Sequence, residues 1–225
     1  KTTGRFTTLV GFQAGKNTVS TLGEVAIGYA AGLSNSNSYS TGVGYEAFRY
    51  NNGEYSVAIG YWAGRGSTGQ RSTFVGASAG KDNTGHYSVG IGYGSLQNTS
   101  GTQNTAIGYH AGYEGAANIL TGNNNTFLGY NASYGTNTTI ENSTAVGANI
   151  TLTDSNTVIL GSGSNVGIGT TSPIASLQIG AGTSNTSNRS DVMMIGTSNA
   201  GGVVNALSLV NTAAGVNSNG TAINF

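Results

Sequence analysis

The chain has 225 residues and a formal net charge of zero, with 38 glycines, one proline, no cysteine and only 7% charged residues, against roughly 25% in a typical globular domain. That composition excludes an ordinary helical or α/β domain and a fold stapled by disulfides. It also lacks a basic stripe able to neutralise a phosphate backbone, and no apolar run approaches the roughly 20 residues of a membrane helix, so neither a nucleic-acid partner nor direct membrane insertion is expected.

From the N-terminus onward, short apolar triplets are each followed by a glycine. Taking that glycine as a marker places it at Gly11, Gly28, Gly44, Gly60, Gly76, Gly92, Gly108, Gly129 and Gly147, with a weaker echo at Gly161. The spacings are 17, then 16 five times running, then 21, 18 and 14. A fixed period of this kind marks a repeat architecture rather than a disordered polar chain. Alternating apolar positions, with many glycines and β-branched residues, disfavour helices. Each period has room for two short strands and two turns, which is one coil of a parallel β-solenoid or β-roll whose coils stack at about 4.8 Å. The turn halves, such as RGSTGQRS and KDNTGHYS, carry the Gly, Ser, Asn and Asp that turns require.

Numbered from the marker, each position has its own character. Position −3 is Val or Thr, position −1 is Val, Ile or Leu, and position +1 is aromatic in seven of nine repeats, Ala77 and Ala148 being the exceptions. These three positions share one strand face, and their β-branched and aromatic residues make it the expected core. Position −2 is mostly Ala or Gly, and a face of such small residues implies close approach by another backbone. Phe74, Phe127 and Leu9 are expected to fill local gaps on that side. So slender a coil cannot cover both faces alone, and self-association as a homotrimer is expected.

Beyond the repeats, residues 162–182 read as a connector, and residues 183–225 as a small β-rich C-terminal segment with the strand candidates DVMMIG, ALSLVN and TAINF. The chain begins inside a repeat and stops in mid-pattern, so it is expected to be a piece of a longer protein. The expected fold class is therefore all-β: a trimeric parallel β-solenoid over residues 1–161, then the connector and the C-terminal segment.

The repeats SVAIGYWAG and NTAIGYHAG resemble the NTAIGY-type repeats of phage tail fibre proteins, and are also similar to the head repeats of trimeric autotransporter adhesins. The stretch NVGIGTTSPIASLQI, residues 165–179, is similar to the connector that commonly follows such repeats in tail fibres. The resemblance covers about residues 1–180. It implies a trimeric fibre that attaches a virion to its host through a cell-surface glycan or protein receptor. The alternatives are a bacterial surface adhesin of the autotransporter type and a polysaccharide-cleaving tailspike. The 16-residue period departs from the shorter adhesin unit.

No catalytic constellation emerges from the residues. The eight acids form no pair recurring in matching positions of adjacent coils, as a glycosidase site would need. The sequences Gly90-Ile91-Gly92 and Gly167-Ile168-Gly169 open no helix of a βαβ unit, and His86 and His110 have no cysteines and few carboxylates with which to build a metal site. No enzyme activity, cofactor or metal is expected. The receptor-contact candidates are Trp62, a flat apolar platform for a sugar ring or a protein, and the amphipathic turn tyrosines Tyr39, Tyr55 and Tyr87. His110 completes the set, at position +2, whose variety of residues reads as a tolerant, solvent-exposed site.

Overall fold

The computed structural model describes residues 6–18, 22–36, 38–173 and 176–179. The expected C-terminal segment, residues 183–225, lies outside them. No helix occurs among the described residues. The chain divides at Ser164/Asn165 into two units.

The first unit is a parallel β-solenoid. Ten strands form one sheet in strict chain order: β1 Thr8–Val10, β2 Val25–Ile27, β3 Thr41–Val43, β4 Val57–Ile59, β5 Thr73–Val75, β6 Val89–Ile91, β7 Thr105–Ile107, β8 Thr126–Leu128, β9 Thr144–Val146 and β10 Val158–Leu160. Every pair is parallel and in repeat register, so that Thr41 faces Val57 and Val43 faces Ile59. In the second unit β11, Val166–Ile168, pairs in parallel with β12, Leu177–Ile179.

Each coil holds one three-residue strand rather than the two expected. The reason lies in the half-turn after the marker, where alternate residues adopt a left-handed backbone: Glu46, Phe48 and Tyr50 have φ of 52°, 53° and 59°. Their N–H groups consequently point up and down the stack by turns. Glu46 N–H reaches Tyr29 O in the preceding coil, Phe48 N–H reaches Ala63 O in the following one, and Tyr50 N–H reaches Leu33 O, all at 2.8–2.9 Å. The backbone groups are thus paired between coils without a second regular strand, which meets the requirement that buried N–H and C=O find partners.

The marker glycine is where the chain leaves the strand. At Gly60 φ is +137°, a region closed to L side chains, and a Cβ there would collide with the carbonyl oxygen of Gly76 in the next coil.

The core is the opposite face from the one expected. Position −2 points inward: Ala26, Ala58, Phe74, Ala106, Phe127 and Ala145 are buried. Position +3 of the returning segment, Ala31, Ala47, Ala63, Ala79 and Ala111, closes over them. This is the close backbone approach that the small residues implied, made by the chain itself. The residues at positions −1 and +1 point outward instead, with Ile59 43% and Tyr61 48% exposed. The interior of a 16-residue coil is too narrow for two layers of branched and aromatic side chains. It holds alanines and, in some coils only, one large residue with glycine opposite; the coils of Ala58/Gly64 and Ala106/Gly112 hold none at these two positions. Phe48 enters from position +4 where position −2 is Gly42, and Phe74 enters from position −2 where position +4 is Gly80. Where coils lengthen to 21 and 18 residues the interior widens, and Leu120, Tyr134, Ile140, Ile150 and Leu152 join Leu96 and Phe127 in one cluster.

A second interior element was legible in the sequence but passed over. Position −4 is a column of buried polar residues, Ser40, Ser56, Ser72, Ser88, Asn104, Asn125 and Ser143. Most link to the next coil: Ser72 Oγ accepts the Ser88 N–H at 3.1 Å, and Asn104 Oδ1 accepts the Asn125 N–H at 2.9 Å. The column satisfies backbone donors at the bend entering each strand.

Candidate functional site

Two outward surfaces follow from this fold. The first is the outer face of the ten-stranded sheet. Because the coils stack in register, the position +1 rings lie over one another: Tyr29 and Tyr45 have centroids 4.9 Å apart, Tyr45 and Tyr61 5.1 Å, and Tyr93 and Tyr109 5.2 Å. Ala77 interrupts this column. Alongside it run Ile27, Ile59, Ile91, Ile107 and Leu128, each 38–43% exposed. Ten rungs about 4.8 Å apart, carrying two columns about 7 Å apart, make an apolar band on the order of 400 Å². A band of that size is about as large as the biggest apolar patch on a typical monomer.

The second surface is the rim at position −5, just before each strand. Every described residue there has a left-handed backbone, φ 54–63°: Phe6, Gly23, Tyr39, Tyr55, Arg71, Tyr87, Gln103, Asn124, Asn142 and Asn156. Such a conformation costs an L-residue roughly 1–2 kcal/mol and is least unfavourable for Gly or Asn. The later coils use Asn, and Asn124, Asn142 and Asn156 form a ladder of side-chain amide hydrogen bonds at 3.2 Å. The earlier coils use large side chains instead. Tyr39 and Tyr55 stack at 5.1 Å, and the Arg71 guanidinium lies between Tyr55 and Tyr87, 5.3 Å and 5.6 Å from their ring centres. Arg71 Nη1 donates to the Tyr87 hydroxyl at 3.2 Å. Tyr39, Tyr55 and Tyr87 are each about half exposed. The sequence thus singled out three members of this ladder, and Arg71, which joins them, was missed. Its signal was the shared offset of five residues before the marker.

Position +2 varies in exposure from coil to coil: Asn131 and Asn149 are exposed, whereas Trp62 and His110 are half-buried. Its residues share a left-handed backbone, with φ of 58° at Trp62 and 51° at His110. Trp62 is half-buried, with Tyr61 against its ring at 4.8 Å and the Arg65 guanidinium also at 4.8 Å. Arg65 Nε is 3.0 Å from Glu46 Oε2, and Arg49 Nη1 is 2.5 Å from Glu46 Oε1, so the buried Glu46 carboxylate sits between two guanidinium groups. His110 packs against Tyr109 at 4.2 Å, Tyr113 at 5.1 Å and Tyr93 at 5.3 Å, and burial pushes its pKa below the ordinary histidine value. Trp62 and His110 are therefore set into packed aromatic clusters, apart in sequence position from the rim ladder.

Comparison with protein-family models and with curated proteins finds no match for this chain. Among the described residues, no group of three or more His, Asp or Glu side chains is placed to hold a metal ion, and no helix is long and apolar enough to cross a membrane.

Proposed function

We propose that this chain is a structural and receptor-binding segment of a fibre, built as a homotrimer, that attaches a virion to its host as part of a phage tail fibre. The observation that carries the reading is the exposed apolar band of Ile59, Tyr61 and their equivalents on successive rungs. A band carried by most successive coils is an apolar surface that a second copy of the chain would cover. Three identical bands converging on one axis would form a closed assembly with no free apolar face. Burying about 400 Å² per chain contributes on the order of 10 kcal/mol per chain before the costs of association. The glycine markers and the in-register stacking suit a rigid shaft, because each coil bonds only to its neighbours and length is gained by repetition.

Attachment follows from what remains outside once the bands are covered: rims rich in hydroxyl, amide and tyrosine groups with almost no net charge. Many weak contacts displayed three times favour binding through avidity to a repetitive cell-surface glycan or a protein receptor. SVAIGYWAG and NTAIGYHAG resemble both families' repeats, and the 16-residue period together with the tail-fibre-like stretch at residues 165–179 favours the virion over a bacterial surface adhesin. The test is adsorption competition: the purified protein, added first, should block adsorption of the particle that carries it to its host cells. Undiminished adsorption under saturating protein would refute attachment.

A further inference from the structure

The two tyrosine columns differ in extent, and that difference assigns them different work. Position +1 carries an aromatic ring on every rung from Phe12 to Tyr130 except at Ala77, and gives way to Ala148 and Ser162 on the last two rungs. A surface that joins copies of a fibre has to run its length. Large side chains at position −5, by contrast, are concentrated from Tyr39 to Tyr87 and give way to Gln103, Asn124, Asn142 and Asn156. The backbone at position −5 is the same throughout, so the fold does not require tyrosine there; the asparagine coils form equally well.

Resting on the attachment reading above, we infer that the rim ladder Tyr39–Tyr55–Arg71–Tyr87 is the receptor site, and that its ligand is a linear polysaccharide bearing carboxylates, laid parallel to the stack of coils. Three features define the ligand class. Arg71 is clamped between two tyrosine rings, which presents its guanidinium fork with little ordering left to lose, and a guanidinium pairs with carboxylate in two-point geometry. The neighbouring position −6 residues Ser38, Gln70 and His86 add polar side chains beside the ladder at the same repeat, while Glu54 at that position places one carboxylate that opposes an anionic ligand. A polymer of regular repeat can meet such evenly spaced groups in succession. An extended peptide would instead seek an open strand edge, and there is none on these rungs: the N–H groups of Tyr39, Tyr55, Arg71 and Tyr87 already donate to Leu22, Ser38, Glu54 and Gln70 carbonyls at 2.6–3.2 Å. The rings stack on one another, so sugars contact ring edges and hydroxyls rather than ring faces.

The experiment measures binding of the intact protein to immobilised oligogalacturonate, oligosialic acid, methyl-esterified oligogalacturonate and polyglutamate. Binding to at least one acidic saccharide is expected, with loss on esterification. Arg71→Gln and Tyr55→Ser should each weaken it at least tenfold, Arg71→Lys should weaken it less, and the oligomer mass should be unchanged in all three. The inference is overturned by binding to neither acidic saccharide, by equal binding to the ester, by equal or tighter binding to polyglutamate, or by variants that bind like the parent. Adsorption competition separates the two levels: if the Arg71→Gln protein blocks adsorption as well as the parent does, attachment stands and this site falls. If the parent itself fails to block, attachment falls.

Discussion

The ring of Phe74 occupies the place where a Cβ on Gly80 would have to lie. The two residues are six apart, on the strand and the returning segment of one coil, and together they fill one level of the interior. Gly80 has φ of +60°, so Gly80→Ala combines overpacking with backbone strain and should lower stability by about 2 kcal/mol or more. Phe74→Ala should cost about 3–5 kcal/mol through the cavity it leaves. In the Phe74→Ala background, Gly80→Ala should cost only about 1 kcal/mol, because the ring it struck is gone. Urea unfolding of the four proteins closes the cycle, and additive effects would show that the two residues do not share the space.

The buried serine column makes a separate claim. Ser72→Ala removes the acceptor of the Ser88 N–H, and that donor has no room to find water. An unsatisfied buried donor costs about 1–3 kcal/mol. Hydrogen exchange should show the Ser88 amide losing protection, while amides three coils away keep theirs.

Tyr134 sets the alkaline limit. Its side chain is buried, its hydroxyl donates to Asn118 O at 2.6 Å, and burial raises its pKa to about 12. The folded pKa lies above the unfolded value of about 10, so the contribution is fully present below pH 10 and is lost as pH rises toward 12. The loss should reach roughly 2–3 kcal/mol, and Tyr134→Phe should flatten the pH dependence of stability over that window.

His110 behaves in the opposite sense. Its folded pKa is depressed by burial, so the neutral ring is favoured in the folded state. Stability should be level above the unfolded pKa of about 6.5 and fall as pH drops below it, because the unfolded chain then takes up the proton first. His110→Asn should remove that acid-side slope in thermal melts at graded pH, and a slope unchanged by the substitution would rule His110 out.

How much of this was legible in the sequence is clearest from single columns. The marker glycines were, because φ near +137° at Gly60 and a neighbouring carbonyl in the next coil leave no alternative residue. The parallel register followed directly from the 16-residue spacing. The inward and outward faces differ from expectation: Ile59 and Tyr61 carry the large β-branched and aromatic side chains that suit a core, yet they point outward. Hydrophobicity alone does not say how wide an interior is. The width follows from the tight half-turn after each marker, where left-handed positions are filled by glycine in some coils, as at Gly64 and Gly80, and by other residues in others, as at Glu46, Phe48 and Tyr50. The reciprocal exchange of Gly42 with Phe48 and of Phe74 with Gly80 carried the correct answer, since only facing residues need to conserve volume between them. Among the site candidates, Tyr39, Tyr55 and Tyr87 were legible as one column, but Arg71 breaks that column by residue type and completes it only in space.

In the proposed trimer the outward band is covered by other copies of the chain. Sedimentation equilibrium of the intact protein measures this most directly, with Ile59→Glu as the companion variant. The parent should have three times the chain mass of 22.6 kDa, about 68 kDa, and Ile59→Glu should shift the mass toward that of the single chain while its β-sheet circular dichroism persists. A parent that remains at 22.6 kDa at all concentrations would contradict the account.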